Sequence, residues 1–277
     1  MFDFLFSKKS EEVVPKEVKV ERLEGDLTPF FEHIEAVLGI GSLHERSIVR
    51  SKLKQIAQKF TLSSVDVFIQ EFDKKDKLYR EVVDAITVNE TYFFRELESL
   101  KWVINRVVNS SKEYKILSIP SSKGAEIYSL CILLFEAAPQ KVWQQKFVGI
   151  DVDKESLEKA KKGLFSEHEL HRLDSVYRAK YFTPQDGLYA INADIKECVS
   201  FYEDNIFELS QGKYGTFDIV MCRNLFIYFD DYYINEALKH LHQIVADDGY
   251  LLMGVADRMT EQSYFKKINN FIYQKQN

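Results

Sequence analysis

The chain has 277 residues, 45% of them hydrophobic and 29% charged, with a formal net charge of −6. Such a length can bury a substantial core and divide into two domains, and such a balance is that of a soluble globular protein. A net acidic chain is poorly suited to tracking a nucleic acid backbone, and no apolar run approaches the roughly 20 residues of a membrane-spanning helix. The apolar opening at residues 1–6 is too short for a secretory signal and has Lys8 and Lys9 on the wrong side of it. Cys131, Cys198 and Cys222 are odd in number and widely spaced, as expected of reduced thiols in a cytoplasmic protein. Neither His168 with His171 nor His240 with His242 has the spacing and company of a metal site, so no metal is expected.

Residues 1–26 carry too little apolar content to fold alone and read as a flexible leader. Residues 27–88 read as a helical domain. Thr28 before Pro29 reads as an N-cap with Pro at the first helical position. Val49, Leu53, Ile56 and Phe60 form one apolar stripe of a helix starting near His44. Along that helix Arg46, Arg50, Lys52, Lys54 and Lys59 stand against Glu45 alone, a net +4 in an acidic chain. The run is either a solvated face or a docking surface for an acidic partner. Ser63 and Ser64 mark the start of another short helix, and 78–86 supplies a further amphipathic one.

After a polar and aromatic stretch over 87–96, a helix is expected over 97–108. Strands over 115–119, 146–150, 198–201, 217–221, 250–255 and 271–274 then alternate with helices over 124–137, 154–162 and 232–245. The strand at 250 lies behind an Asp248-Gly249 turn. This alternation predicts an α/β fold with a mostly parallel, doubly wound sheet.

In such a sheet ligands sit at the carboxyl ends of the strands. The turn Ser118-Ile119-Pro120-Ser121-Ser122-Lys123-Gly124 joins the first strand to its helix where nucleotide folds carry a glycine-rich loop. It has one Gly and neither a dinucleotide nor a P-loop pattern, which suits a ligand without a pyrophosphate. Asp151, ending the second strand, is where a carboxylate accepts ribose hydroxyls, unless it caps the next helix. A nucleoside without phosphates points to S-adenosylmethionine. The strand over 217–221 breaks at Cys222-Arg223-Asn224 and runs into Phe226, Tyr228 and Phe229, a pocket floor or simply a capped core strand.

Four motifs occur here in the order found in the CheR-type chemotaxis receptor methyltransferases, which the chain resembles from about Thr28 to its C-terminus. They are Asn89-Glu90-Thr91-Tyr92-Phe93-Phe94-Arg95-Glu96, Ser122-Lys123-Gly124-Ala125-Glu126-Ile127-Tyr128-Ser129, Gly149-Ile150-Asp151-Val152-Asp153 and Cys222-Arg223-Asn224-Leu225-Phe226-Ile227-Tyr228-Phe229-Asp230. The first and last are highly specific. The resemblance implies a Rossmann-like S-adenosylmethionine-dependent domain over 89–277, with a small antiparallel insertion at about 181–201. It implies methylation of glutamate side chains on the cytoplasmic helices of chemoreceptors, by a cytoplasmic enzyme.

Carried over position by position, the resemblance sets Asn89, Thr91, Arg95 and Glu126 around the cofactor's methionine moiety and Asp151 at its ribose. Asn205 and Ile206 fall on the adenine side. Arg223 and Asn224 match the pair at the end of the 217–221 strand, with Tyr228 and Arg95 nearest the transferred methyl. The chain departs from the family in having Ser121-Ser122-Lys123 and Gly124-Ala125-Glu126-Ile127 where Cys-Ser-Thr and Gly-Glu-Glu-Pro are usual. The basic 44–59 helix becomes the expected receptor-docking face. The compact Thr183-Pro184-Gln185-Asp186-Gly187 lead-in, read as a turn and little more ahead of strands at 188–191 and 199–201, predicts an enzyme that needs no peptide tether at the receptor's C-terminus. The competing readings are a catalytically weakened receptor- or ligand-binding module and a methyltransferase for another substrate. A nucleic acid enzyme acting on amino groups would commonly carry an Asp/Asn-Pro-Pro-aromatic sequence where this chain has Arg223-Asn224-Leu225-Phe226.

Overall fold

The computed structural model describes residues 26–38, 47–86, 91–260 and 264–276, so the leader up to residue 25, Arg46 and Asn89 lie outside the described residues. Four helices come first: α1 (Thr28–Leu38), α2 (Ser47–Lys59), α3 (Val65–Phe72) and α4 (Asp76–Ile86). The cap of α1 belongs to Asp26, whose carboxylate accepts both the Thr28 N–H at 3.0 Å and its hydroxyl at 2.6 Å. A carboxylate two residues upstream out-competes Thr28's own hydroxyl, which is spent as a donor to it. Ser64 caps α3 as expected, accepting the Val67 N–H at 3.2 Å. The stripe of α2 is buried at Val49, Leu53 and Ile56, and Phe30 stacks on Phe68 with ring centroids 3.7 Å apart.

Helix α5 (Leu97–Val108) leads into the α/β region. There β1 (Lys115–Ser118), α6 (Ala125–Ala137), the short α7 (Pro139–Val142), β2 (Lys146–Asp151) and α8 (Lys154–Lys162) follow in turn. Next come β3 (Leu164–Phe165), α9 (Ser175–Tyr181), β4 (Phe182–Gln185), β5 (Leu188–Ile191), α10 (Ala193–Glu197) and β6 (Val199–Glu203). The chain closes with α11 (Gln211–Tyr214), β7 (Phe217–Cys222), α12 (Asp231–Ile244), β8 (Val245–Met253), β9 (Phe265–Lys267) and β10 (Ile272–Lys275). One seven-stranded sheet runs β6-β2-β1-β7-β8-β10-β9. Its first five strands are parallel, whereas β10 and β9 return antiparallel.

Alternation along the strands sorts two cores, one on each face of the sheet. Ile116, Ile219 and Met221 pack with α5, α6 and α8, while Leu117, Val220 and Cys222 face α12. The second core continues into α1 to α4, through Phe31, Leu53, Phe68 and Val83. The helices α1 to α4 pack on one another, and their buried residues run on without a break into the core on the α12 face of the sheet.

Three expectations are corrected. Val199–Glu203 does not belong to the insertion; it pairs in parallel with β2 at the edge of the main sheet. The insertion sheet is β3-β5-β4, drawn from segments between 164 and 191, and two of its strands are too short or too polar to announce themselves by period. The lead-in read as a turn is mostly strand β4, which joins β5 by a two-residue Asp186-Gly187 turn with φ of 47° and 78°. At the C-terminal end, β8 starts at Val245 and passes through Asp248-Gly249, and Phe265-Lys266-Lys267 forms an edge strand with no apolar alternation to reveal it.

Candidate active site

The carboxyl ends of β1, β2 and β7 converge on one cavity. The turn after β1 is pinned to its neighbours: Ile119 N–H donates to Met221 O at 2.9 Å and Ser121 N–H to Ile150 O at 2.8 Å. Ser122, with φ 47°, donates its N–H to Asp151 Oδ2 at 2.7 Å, and Gly124, with φ 83°, opens α6. The Phe201 ring of β6 lies over this turn. A Cβ at Gly149 would come within 2.5 Å of that ring, and one at Gly124 within 2.9 Å. Both glycines are thus required by the close approach of an aromatic ring, a reason that their motifs do not reveal.

Asp151 is not the helix cap. Asp153 caps α8, accepting the Glu155 N–H at 2.9 Å. Asp151 takes the N–H groups of Ser122 and Asp153, yet burial dominates and pushes its carboxyl up to about 6. It lines the cavity with lone pairs still to satisfy.

Arg223 follows β7 with its side chain 1% exposed. Its Nη1 meets Glu126 Oε2 at 2.6 Å, and its Nη2 reaches Glu96 Oε2 at 3.1 Å and the Arg95 carbonyl at 2.8 Å. Glu126 also accepts the Ser118 hydroxyl at 2.8 Å. Burial outweighs these partners and raises its pKa. Asn224, with φ 57°, donates its N–H to Asp257 Oδ2 at 2.5 Å and its Nδ2 to Glu96 Oε1 at 3.2 Å. Asp257 further accepts Gly254 N–H at 2.8 Å and Ile227 N–H at 3.2 Å, so one carboxylate shapes the whole turn that carries Tyr228. Burial raises the Asp257 pKa despite these donors. Sequence reasoning missed Asp257, a lone acid with no motif around it, and gave Glu96 no role although it closes the first motif.

Thr91, Arg95, Glu126, Asp151, Arg223, Asn224 and Tyr228 all line this one cavity, together with Ser121, Ser122 and, unforeseen, Val83 of α4. Arg95 lies over the Tyr92 ring, 5.7 Å from its centroid. An adjoining recess shares Asp151 and Val83 and is walled by Ile119, Val152, Ile206, Leu225 and Phe229. Asn205 borders it and caps the following turn through the Phe207 N–H at 3.1 Å. The basic α2 side chains lie outside the cavity. Lys59 pairs with Glu81 at 2.6 Å, Lys52 donates to the Ala85 carbonyl at 3.3 Å, and Arg50 lies over the Phe31 ring at 5.4 Å. Of the expected docking set, Lys52 and Lys59 are therefore engaged by α4, while Lys54 is exposed. Cys222 is buried, and burial pushes its thiol well up, which rules it out as a ready nucleophile.

The family model described as "CheR methyltransferase, SAM binding domain" matches residues 89–273. The chemotaxis protein methyltransferase of Campylobacter jejuni subsp. jejuni serotype O:23/36 (strain 81-176) is 33% identical over 253 residues, covering 91% of this chain and 95% of that one. The chain belongs to the CheR methyltransferase family. Chemotaxis protein methyltransferase 2 of Vibrio cholerae is 31% identical over 209 residues, covering 72% and 73% of the two chains. The Escherichia coli chemotaxis protein methyltransferase is 26% identical over 223 residues, 78% of each.

S-adenosylmethionine is the cofactor of this CheR-family chain, and the cavity suits it chemically. The buried hydroxyls of Ser121 and Ser122 and the Nε of Arg223 have no hydrogen-bond partner among the described residues, so the wall has polar capacity to spare. The apolar recess would take a flat purine, and Asp151 between recess and cavity would take ribose hydroxyls. Glu126, Asp151 and Asp153 line the cavity against the guanidinium groups of Arg95 and Arg223, an excess of negative charge suited to a sulfonium and an ammonium group. Among the described residues no helix is long and apolar enough to cross a membrane.

Proposed function

We propose that this CheR-family enzyme transfers the methyl group of S-adenosylmethionine to glutamate side chains on the cytoplasmic helices of chemoreceptors. The observation that carries the reading is that Arg95 and Tyr228 line the same cavity as Asp151 and Glu126, at the turn braced by Asp257. S-adenosylmethionine supplies an electrophilic methyl on a cationic sulfur. A glutamate carboxylate, with a reference pKa of about 4.3, is already ionised at neutral pH, so no residue need remove its proton. What remains for the chain is alignment and exclusion of water, a task that can lower a barrier by about 7–11 kcal/mol. In this reading Asp151 holds the ribose and Ile206 with Asn205 the adenine side, while Thr91, Glu126, Arg223 and Asn224 enclose the methionine part. Tyr228 orients the incoming carboxylate, and Arg95 neutralises a carboxylate beside it. Such a substrate implies a cytoplasmic enzyme.

Two features support the way the receptor is met. Arg50 and Lys54, one turn apart on α2, offer positive charge outside the cavity to acidic receptor helices. At the insertion sheet, the two-residue turn makes Gln185 and Leu188 the hydrogen-bonded pair, so β4 turns the backbone of Phe182 and Pro184 outward. Pro184 has no N–H, and that of Phe182 already donates to the Arg178 carbonyl. An edge without donors is a poor template for an added peptide strand, which supports engagement without a C-terminal tether.

The test is incubation of the purified chain with radiolabelled cofactor and a receptor cytoplasmic fragment. Base-labile methyl ester on the receptor is expected. Cofactor binding without any labelled receptor would leave the family assignment standing and remove this substrate.

A further inference from the structure

We propose that Glu169 is a positioning residue for the cofactor site, holding the cofactor turn through Lys123 and the first motif through Phe93. Glu169 sits in the loop between β3 and α9, with its side chain 7% exposed. Its Oε2 accepts both the N–H and the hydroxyl of Ser166 at 2.7 Å. Its Oε1 is buried and accepts no hydrogen bond among the described residues, but Lys123 Nζ forms an ion pair with it at 3.0 Å, the one cation within ion-pair reach among those residues. Its backbone carbonyl accepts the Phe93 N–H at 3.0 Å.

These contacts join three parts of the molecule. Lys123 lies between Ser122, whose N–H holds Asp151, and Gly124, which opens α6. Phe93 lies between Thr91, Tyr92 and Arg95, all on the cavity wall. The Phe93 ring is fully buried and meets Phe165 and Phe182 of the insertion sheet edge-on, with centroids 4.8 and 5.0 Å away. Glu169 thus ties the turn beneath the ribose site and the wall beside the methionine site to one another and to the insertion sheet.

A buried carboxylate with a single counter-charge tolerates the loss of that charge badly, whereas loss of both charges together is mild. Lys123→Met strands Glu169 Oε1, which drives the loop outward and takes Phe93 and the Ser122 turn with it. Glu169→Gln in the same chain removes the stranded charge and keeps an acceptor for Ser166.

The experiment is a double-mutant cycle on the full chain, titrating S-adenosylhomocysteine by calorimetry and following thermal unfolding with and without it. Lys123→Met is expected to weaken the complex at least about fivefold, and Lys123→Met/Glu169→Gln to recover thermal stability while staying at least about threefold weaker than the unmutated chain, because the tie is still absent. A Kd for Lys123→Met within about twofold of the original, or a double variant that regains the full affinity of the unmutated chain, would overturn the proposal. Should Lys123→Met not fold, Glu169→Gln alone is expected to weaken binding about threefold while Lys123→Arg keeps it; unchanged affinity in Glu169→Gln would then overturn it. Because the ligand is the cofactor product, the outcome does not depend on which protein accepts the methyl group.

Discussion

At Asp151 two backbone donors compete with burial, and burial wins. Its carboxyl stands at about 6, above the value of about 3.9 for an unfolded chain. An acid raised on folding adds stability that is complete below the unfolded value and is lost as pH rises through about 6. Asp151→Asn removes that pH dependence but sets an amide NH2 against one of the two backbone N–H groups that Oδ1 and Oδ2 accept. The variant's stability relative to the parent should therefore rise between pH 4 and 7 from a lower starting point, read from denaturant unfolding. Its affinity for S-adenosylhomocysteine should fall at least about tenfold, since charge-assisted bonds to the ribose are each worth about 1.5–3 kcal/mol. The parent's affinity should also drop as pH falls below about 6, and the variant's should not. Loss of stability together with unchanged affinity would make Asp151 a structural residue. Tyr228 belongs to the same scale. If it orients substrate and not cofactor, Tyr228→Phe leaves the cofactor Kd within about twofold and lowers kcat by about tenfold or more, as for a lost transition-state hydrogen bond. Parallel losses in both would place Tyr228 at the cofactor.

Among the elements, α2 and β4 bear on receptor choice. Arg50→Glu/Lys54→Glu reverses charge on the side of α2 away from the cavity. Receptor KM should rise and its salt dependence weaken, with cofactor affinity unchanged, because screened surface charge acts mainly on encounter. Identical kinetics would mean that the run only solvates the helix. For β4, methylation of one receptor with and without its C-terminal tail should proceed at rates within about threefold, since the outward residues Phe182 and Pro184 leave that edge no free N–H for the tail. Direct binding of the tail peptide to the insertion sheet, with a large loss of rate on removing it, would refute that reading.

For the whole molecule, the decisive fact is the shared core. Val83 of α4 lines both cavity and recess, and Phe31, Leu53 and Phe68 sit in the same apolar cluster as Val220 and Phe229. Removing residues 1–88 would expose to water the part of that core which α1 to α4 cover, α12 covering the rest. Such a fragment should bind hydrophobic dye, unfold without a sharp transition and lose S-adenosylhomocysteine binding. A cooperative, cofactor-binding fragment 89–277 would instead establish an independent domain.

Much of this was legible in the chain itself. Helix α8 and the parallel strands through β7 follow from local periods and caps, which neighbours reinforce. Thr91, Arg95, Glu126, Asp151, Arg223, Asn224 and Tyr228 were legible because strand ends and motifs mark them, and folding brings these seven to one cavity. What sequence could not decide rests on partners far away in the chain. Val199–Glu203 became an edge of the main sheet because β2 offered it a parallel partner, a choice invisible to period-two patterning. Asp257 and Glu169 look like any surface acid until burial and donors from remote segments, Asn224 for one and Lys123 for the other, give each its task. Gly149 is fixed by a ring 52 positions on, at Phe201. Sequence determined which segments could form and which side chains carry chemistry; the tertiary structure decided their neighbours, because desolvation and counter-charge exist only once distant segments meet.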